Sequence, residues 1–112
     1  MIEYLLYAMR EIYVYNGDSF AGVLTEKSSA EYIFRYNDDY LEDKSQPAIS
    51  VTLPKIRQIH TCDSVFPFFT NLLPEGINRH ALCTRSKVDE HDLFGMLMAV
   101  RGWDFIGDVS LR

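Results

Sequence analysis

Cysteine is scarce in this chain of 112 residues, which contains only Cys62 and Cys83. Small domains that depend on disulfides carry several cysteines, because the bridges compensate for a small core. Two isolated thiols are typical of reduced, buried cysteines, so we expect a cytoplasmic protein without a disulfide. Apolar residues make up 47% of the chain and aromatic residues 13%, which is enough for a packed core without a metal.

Long apolar runs and targeting features are also missing. The N-terminal stretch MIEYLLYAM is apolar, but it has no basic region and no small-residue cleavage site. It is also too short to cross a bilayer. We therefore expect residues 1–10 to form an extra N-terminal strand or an ordered arm, and residues 1–112 to form a single domain.

Positive charge is in short supply. The chain has 11 Lys and Arg residues against 16 Asp and Glu residues, giving a formal net charge of −5. An acidic domain gains little from phosphate backbones, so direct binding to nucleic acid is disfavoured. A basic partner protein would be attracted instead.

The motifs of phosphate chemistry are absent as well. The 6 glycines stand singly, so the sequence contains no glycine-rich phosphate loop. It also lacks the H-R-D and D-F-G elements of protein kinases. The sequence thus predicts neither a nucleotide cofactor nor kinase activity of the chain's own.

The most apolar continuous stretch, Asp63–Arg79, organises the expected fold. Its apolar residues have the spacing of one helical stripe and are expected in the core: Val65, Phe68, Phe69, Leu72 and Leu73. Asp63 or Ser64 can cap the helix, with Pro67 in its first turn. Pro74 should end it, because a proline disfavours helical conformation in the residue before it.

A turn at Glu75-Gly76 is predicted to follow this helix, with Ile77 at or just past its tip. Loops carry function more often than core helices do. An apolar residue near a turn tip has no evident role in folding. The turn Pro74–Ile77 is therefore a candidate contact surface.

Four strands are predicted before the central helix. They are Glu11–Tyr15, Phe20–Thr25, Tyr32–Tyr36 and Ala48–Leu53. Asn16-Gly17 indicates a hairpin between the first two strands, because both turn positions favour a positive φ. Gly22 indicates a bulge or a close backbone approach. The inward faces are expected to be Tyr32, Phe34 and Tyr36 in the third strand and Ile49, Val51 and Leu53 in the fourth.

Two helices and a strand are predicted after the turn. The first helix is Asn78–Thr84; the second begins at the cap Asp89, has Asp92 at the capping-box position, and ends at Gly102 as the C′ residue. The apolar stripe of the second helix is Leu93, Met96, Leu97 and Val100. A short strand, Asp108–Leu111, closes the chain. Strands followed by about three helices and a last strand indicate an α+β domain with an antiparallel sheet.

Two His/Cys pairs invite a catalytic or metal interpretation. His60 with Cys62 and His80 with Cys83 offer zinc ligands, but not at the usual spacings of structural zinc sites. Cys62 could also act as a nucleophile with His60 or His80, yet no orienting third group can be assigned. We therefore predict no metal site and no catalytic residue, and expect buried thiols and surface imidazoles.

The single tryptophan lies in the segment Arg101–Phe105. Trp103 could be a half-buried aromatic residue that closes one end of the core. Trp103 and Phe105 could instead anchor a partner protein, since aromatic residues in loops are frequent interface hot spots.

Several segments together resemble one known family. They are VYNGDSFAGVL, FRYNDDYL, AISVTLP, VFPFFTNLLPEG followed by Arg79, and DLFGMLMAVRGWDFIGDVSL. In this order they are similar to the N-terminal domain of HipA-type toxin kinases, and they cover almost everything from Glu11 to Arg112. The resemblance implies a small, barrel-like antiparallel sheet with helices packed on it.

The resemblance also implies a partner. In HipA this domain is joined to the kinase, whereas in tripartite HipBST-type systems a separate small protein, HipS, neutralises the shortened kinase HipT. A free chain of this length resembles HipS. That implies a non-catalytic antitoxin that binds a HipT-type serine/threonine kinase, with a HipB-type DNA-binding protein as a further partner. Two alternatives stay open: a structural domain of a HipA-type kinase without inhibitory activity, and a small Cys/His-dependent enzyme.

The expected partner-binding residues combine the turn, the arginine that follows the P-E-G element and the two late aromatic residues. They are Pro74, Glu75, Gly76, Ile77, Arg79, Trp103 and Phe105.

Overall fold

A computed structural model of the protein describes residues 9–105 and 107–112. The five strands are β1 (Arg10–Asn16), β2 (Ser19–Ser28), β3 (Glu31–Tyr36), β4 (Ile59–Cys62) and β5 (Val109–Leu111). The four helices of this part of the chain are α1 (Asp38–Glu42), α2 (Pro67–Thr70), α3 (Gly76–Ser86) and α4 (Leu93–Ala99). None of these helices is long and apolar enough to cross a membrane. The predicted N-terminal strand or arm lies outside the described residues, apart from Met9, which is exposed, and Arg10, which starts β1.

The strands form one antiparallel sheet in the order β4-β3-β2-β1-β5. The prediction of an α+β domain is confirmed, but the sheet is not barrel-like. Closing a barrel would require β4 to pair with β5, and these two strands lie at opposite edges. Both are short, so neither extends far enough along its neighbour to curl the sheet round.

The buried face of the sheet follows the alternation of the sequence. Tyr32, Phe34 and Tyr36 of β3 are buried, as predicted, while Arg35 is exposed on the other face. They pack in one core with the buried residues of the helices, including Phe69 of α2 and Phe94 of α4. Strands that are apolar on one face need only one layer of helices to cover them.

The hairpin between β1 and β2 forms where it is predicted, with its turn one residue later. Asn16 still belongs to the strand and pairs with Ser19, so the loop consists of Gly17 and Asp18. Only Gly17 has a positive φ, at 59°. The two-residue turn therefore needs a left-handed conformation at one position, and glycine supplies it.

Gly22 lies where two backbones approach closely, as predicted. A Cβ added there would stand 2.3 Å from the carbonyl oxygen of Arg35 in β3. On the other side of β2, Gly22 pairs with Val14 and Phe20 pairs with Tyr15, so the register shifts by one residue between them. Both interpretations of this glycine, a bulge and a close approach, are thus confirmed.

The predicted strand Ala48–Leu53 is wrong. Ile49 and Leu53 are buried, but Val51 is 96% exposed and the segment consists of turns. The hydroxyl of Tyr36 accepts a hydrogen bond from the Ile49 N–H (3.1 Å) and donates one to the Leu53 carbonyl. A buried phenol needs such partners, and the chain folds around it, which directs Val51 outward. The fourth strand is instead Ile59–Cys62, which the sequence analysis missed.

The central helix is shorter than predicted. It begins at Pro67 with Phe66 as its N-cap, so neither Asp63 nor Ser64 caps it. Phe66 has a ψ of 132°, since a residue before proline is kept extended. The predicted stripe is nevertheless largely confirmed as core: Val65, Phe69 and Leu73 are buried, and Phe68 and Leu72 are partly buried.

The last two helices differ from the prediction at their ends. α3 starts at Gly76, two residues early, and ends at Ser86, after which Lys87 adopts a left-handed φ of 55°. The N-cap of α4 is Asp92, whose carboxylate accepts from the Gly95 N–H at 3.0 Å. Asp89 was the predicted cap, but its carboxylate accepts from the His91 N–H instead.

The inward side of α4 is mostly as expected. Met96, Leu97 and Val100 are fully buried and Leu93 is partly buried, whereas the buried Phe94 was not foreseen. Val100 is the C-cap, so Arg101 occupies the C′ position and Gly102, the predicted C′ residue, lies one position further on. With a φ of 83°, Gly102 turns the chain so that its N–H donates to the Leu111 carbonyl at 2.9 Å. This contact ties the end of α4 to β5.

Arg10 joins three elements at the start of β1. Its guanidinium donates to the Glu26 carboxylate on β2 at 2.7 and 2.9 Å, and to the Asp92 carboxylate at 2.9 and 2.8 Å. The pKa of Asp92 lies below its usual value, first because of the hydrogen bond from Arg10 and further because of the Gly95 N–H. A carboxylate with a lowered pKa adds stability above its unfolded pKa of about 3.9, and this is lost as the pH falls through its folded pKa.

We therefore expect Arg10→Met to lower the free energy of unfolding at neutral pH. The difference from wild type in this free energy should become smaller as the pH falls below about 4. Urea titrations at several pH values measure both effects. Lys27 is an exposed cation that lines the same surface groove as Arg10. Lys27→Met is therefore the control, and its difference from wild type in free energy of unfolding should not shrink at low pH. If the difference in free energy of unfolding stays constant down to about pH 2, Arg10 stabilises the fold through the packing of its aliphatic part and not through Asp92.

Candidate protein-binding surface

Helix α3 presents most of its surface to solvent. Of its residues Gly76–Ser86, only Leu82 and Cys83 are buried, and Arg79 is partly buried. These residues share one face of the helix, since side chains three or four positions apart lie together on a helix. The first turn of α3 therefore projects from the core on a helix that is held further along.

The start of α3 is held by the backbone on both sides of Gly76. The Glu75 carbonyl accepts from the N–H groups of Asn78 and Arg79 at 3.2 and 3.4 Å. The Arg79 Nε donates to the Pro74 carbonyl at 2.9 Å. Gly76 itself has a φ of 58° and turns the chain straight from Glu75 into the helix. These contacts fix the direction in which the first turn points.

This geometry corrects the predicted turn. Glu75 is the N-cap of α3 and Gly76 is its first residue, so Ile77 lies in the first helical turn and not at the tip of a loop. Ile77 is nevertheless 82% exposed, and Glu75 beside it is exposed and makes no side-chain capping hydrogen bond. An exposed carboxylate and an exposed aliphatic side chain therefore lie two residues apart at the start of α3.

The two late aromatic residues have different environments. Trp103 is 41% exposed, and its backbone N–H donates to the Val100 carbonyl at 3.1 Å. Phe105 is partly buried and packs against the core. Among the described residues, no hydrogen bond or aromatic contact joins this pair to the Pro74–Arg79 segment. The candidate residues therefore form two groups on separate elements.

Among the described residues, no hydrogen bond joins a histidine to a cysteine. His60 is buried in β4, and its Nε2 lies 3.0 Å from the carbonyl oxygens of Pro54 and Arg57, to which it can only donate. His80 pairs with Glu90 on the surface. Cys62 is half-buried and Cys83 is buried in α3. The described residues contain no group of three or more potential metal ligands.

Exposed aliphatic residues also occur outside the segments that the sequence predicts as contact surfaces. Val51 is 96% exposed and Ile56 is 91% exposed, both in the long connection before β4. Ile59, the first residue of β4, is 49% exposed. Pro47 and Pro54 flank Val51 in the sequence, and prolines at both ends of a segment are as compatible with a loop as with a strand.

The fold is a small α+β domain that exposes several aliphatic side chains, among them Val51, Ile56 and Ile77. The family model of the HipA N-terminal domain matches residues 12–112. The chain belongs to the HipA N-terminal domain family, which is that of a non-catalytic domain.

Two curated proteins are similar to this chain in sequence. A protein of Haemophilus influenzae described as uncharacterized is 31% identical over 93 residues, which are 83% of this chain and 82% of the relative. The "Putative kinase Y4dM" of Sinorhizobium fredii is 34% identical over 95 residues. These residues are 80% of this chain but only 23% of that relative, so the chain spans about a quarter of its length.

A solved structure described as the "N-terminal domain of HipA toxin" has the same fold. Its TM-score with this chain is 0.64 at 23% sequence identity, covering 91% of this chain and 90% of the other. At this identity the similarity concerns the fold alone. The resemblance stated from the sequence segments is thus confirmed by the family model and by the structure.

Proposed function

We propose that this protein is a HipS-like antitoxin that binds a HipA/HipT-type serine/threonine kinase toxin in the cytoplasm and neutralises it, with a HipB-type DNA-binding protein as a further partner of the complex. Membership of the HipA N-terminal domain family supports a role next to a kinase. The Haemophilus influenzae relative, most of whose length this chain covers, supports a domain that acts as a separate protein.

The observation that carries this proposal is the exposure of Ile77 on the first turn of α3. An aliphatic side chain that is 82% exposed contributes little to folding and is accessible to a partner. Because the backbone of Glu75 and Pro74 already holds this turn, little conformational entropy is lost on binding. The Glu75 carboxylate beside it can accept hydrogen bonds from N–H groups or a basic side chain of the partner.

A kinase offers a matching surface. The glycine-rich loop that covers the phosphates of ATP is mobile and exposes backbone N–H groups. Ile77 inserted beside this loop, with Glu75 accepting its N–H groups, would hold it away from ATP. The chain thereby blocks phosphoryl transfer without taking part in any chemistry.

Ile77→Asp should leave the fold intact, because an exposed position tolerates charge. It should weaken binding to the partner kinase by more than about 1.4 kcal/mol, a factor of ten. Calorimetric titration with a HipT-type kinase measures the affinity, and a melting curve reports the fold.

Ile56→Asp is the matched control, since it makes the same change at an isoleucine that is 91% exposed elsewhere, and it should bind as wild type does. If Ile77→Asp unfolds the domain, Ile77 contributes to folding. If it binds as tightly as wild type, the contact surface lies elsewhere, and Trp103 with Phe105 is the next group to substitute.

A second candidate function has its own support. The match to part of a much longer putative kinase favours a structural domain that completes a HipA-type kinase without inhibiting it. The two functions differ in one assay. An antitoxin lowers autophosphorylation of a separate HipT-type kinase when added in excess, whereas a structural domain leaves it unchanged or raises it.

A further inference from the structure

Strand β4 is an edge of the sheet, and its hydrogen-bonding phase is set by its partner β3. The Tyr36 N–H donates to the Gln58 carbonyl at 3.0 Å. In an antiparallel ladder such exchanges recur at every second residue, so His60 and Cys62 also direct their N–H and C=O groups toward β3. Ile59 and Thr61 therefore direct theirs toward the open edge.

The space beside this edge is open within the described part of the chain. A groove of about 520 Å³ is lined by the four residues of β4 together with, among others, Ser50, Thr52, Phe66 and Pro67. Ile59 is 49% exposed and Thr61 is exposed. Proteins commonly protect such edges with lysine, proline or a bulge, and none of these lies within Ile59–Cys62.

The residues around β4 are complementary to themselves under a twofold rotation. When two copies of the strand run antiparallel with His60 opposite His60, Ile59 lies opposite Thr61 of the other copy. The same register brings Arg57 opposite Asp63, both of which are exposed. A shift by two residues in either direction separates these opposite charges and leaves an outward-directed N–H or C=O group unpaired.

We propose that two copies of this chain associate through β4 in this register and form one continuous ten-stranded sheet. Ile59 and Thr61 exchange backbone hydrogen bonds across the twofold axis, as a hydrogen-bonded pair does in any antiparallel sheet. Each Arg57 guanidinium faces an Asp63 carboxylate of the other copy. The pairing uses backbone groups that the domain alone leaves to solvent.

The contact is small, since it consists of one short strand and its flanks on each copy. Interfaces well below about 1,200 Å² are typical of transient complexes. The dimer should therefore be weak and concentration-dependent, and it should weaken further with salt, because its ion pairs lie at the surface. Sedimentation velocity over a dilution series at low and high salt measures both dependences.

Charge exchange tests the register. Arg57→Glu and Asp63→Arg should each weaken self-association by at least about tenfold, because each change places two like-charged pairs in the dimer. The double variant Arg57→Glu/Asp63→Arg should restore it, since the opposite charges meet again. Arg85→Glu, which reverses an exposed arginine on α3, is the control and should associate as wild type does.

Hydrogen exchange supplies a readout at single residues. The amides of Ile59 and Thr61 should be protected in concentrated samples and should exchange fast in dilute ones. Those of His60 and Cys62 point toward β3 and should be protected in both, which makes them an internal control. Thr61→Pro removes one outward N–H and should abolish association. If it also lowers the melting temperature, the charge variants at Arg57 and Asp63 decide whether β4 forms the dimer.

A chain that stays monomeric up to about 1 mM would overturn the proposal. A dimer that is insensitive to both charge reversals, or capture of a foreign peptide by β4 without self-association, would overturn it as well. The outcome of these self-association experiments is independent of the proposed antitoxin function. Ile77 lies on α3, away from β4 in the sequence, so Ile77→Asp should leave self-association unchanged.

Discussion

Phe69→Ala should lower the free energy of unfolding by about 3–5 kcal/mol, because it removes a buried aromatic side chain and leaves a cavity. Phe69 is fully buried, and its ring centroid lies 5.8 Å from that of Phe34 in β3, 6.2 Å from that of Phe66 and 5.1 Å from that of Phe68. It thus joins α2 to the centre of the sheet. The single turn of α2 cannot persist without this contact, since isolated short helices are unstable in water.

Urea unfolding measures the effect as a lower midpoint with an unchanged slope. Phe68→Ala is the matched control: Phe68 is only partly buried, so the same deletion in the same turn should cost clearly less. If both variants lose the same free energy of unfolding, Phe69 is packed no more tightly in the core than Phe68. Unchanged stability of Phe69→Ala would mean that α2 is not packed on the sheet.

Gly22→Ala should cost about 3 kcal/mol, at the upper end of the range for overpacked cores. The added Cβ would lie 2.3 Å from the Arg35 carbonyl oxygen and 2.9 Å from Cζ of the Phe34 ring. The first of these atoms is backbone of the neighbouring strand, so relief requires β2 and β3 to move apart. The pairing of β2 with β3 would be strained at the end where Gly22 lies opposite Tyr36.

Gly17→Ala is the control for this prediction. Gly17 has a φ of 59°, and a Cβ added there would have nothing within 4 Å. Alanine at this position should therefore cost only the free energy of placing an L-residue in a left-handed conformation, roughly 1–2 kcal/mol. Thermal and urea unfolding of both variants compare the two costs directly. A smaller loss for Gly22→Ala than for Gly17→Ala would show that the two strands separate easily.

The sequence alone determined the elements whose pattern is local. The alternation of Tyr32, Phe34 and Tyr36 specified both the strand β3 and its buried face. Asn16-Gly17 placed the first hairpin to within one residue, because turn chemistry depends on neighbouring residues only. The segments from Glu11 to Arg112 also identified the family, since a motif requires no knowledge of contacts.

Caps and helix lengths were determined less well. Asp89 and Asp92 both resemble N-caps in the sequence. Only the structure shows that Asp92 is the cap and that its carboxylate also binds Arg10, which is 82 residues away. The apolar stripe around Phe69 predicted burial correctly but overestimated the helix, because side chains can be buried from a turn as well as from a helix.

Only the tertiary structure decided the rest. Ile49, Val51 and Leu53 alternate as a strand would, yet the Tyr36 hydroxyl takes the Ile49 N–H and the Leu53 carbonyl, and Val51 is left exposed. The open edge at Ile59 and Thr61 is likewise visible only in the sheet order. Hydrogen bonds between residues far apart in the chain compete with local preference, because a buried polar group without a partner is costly.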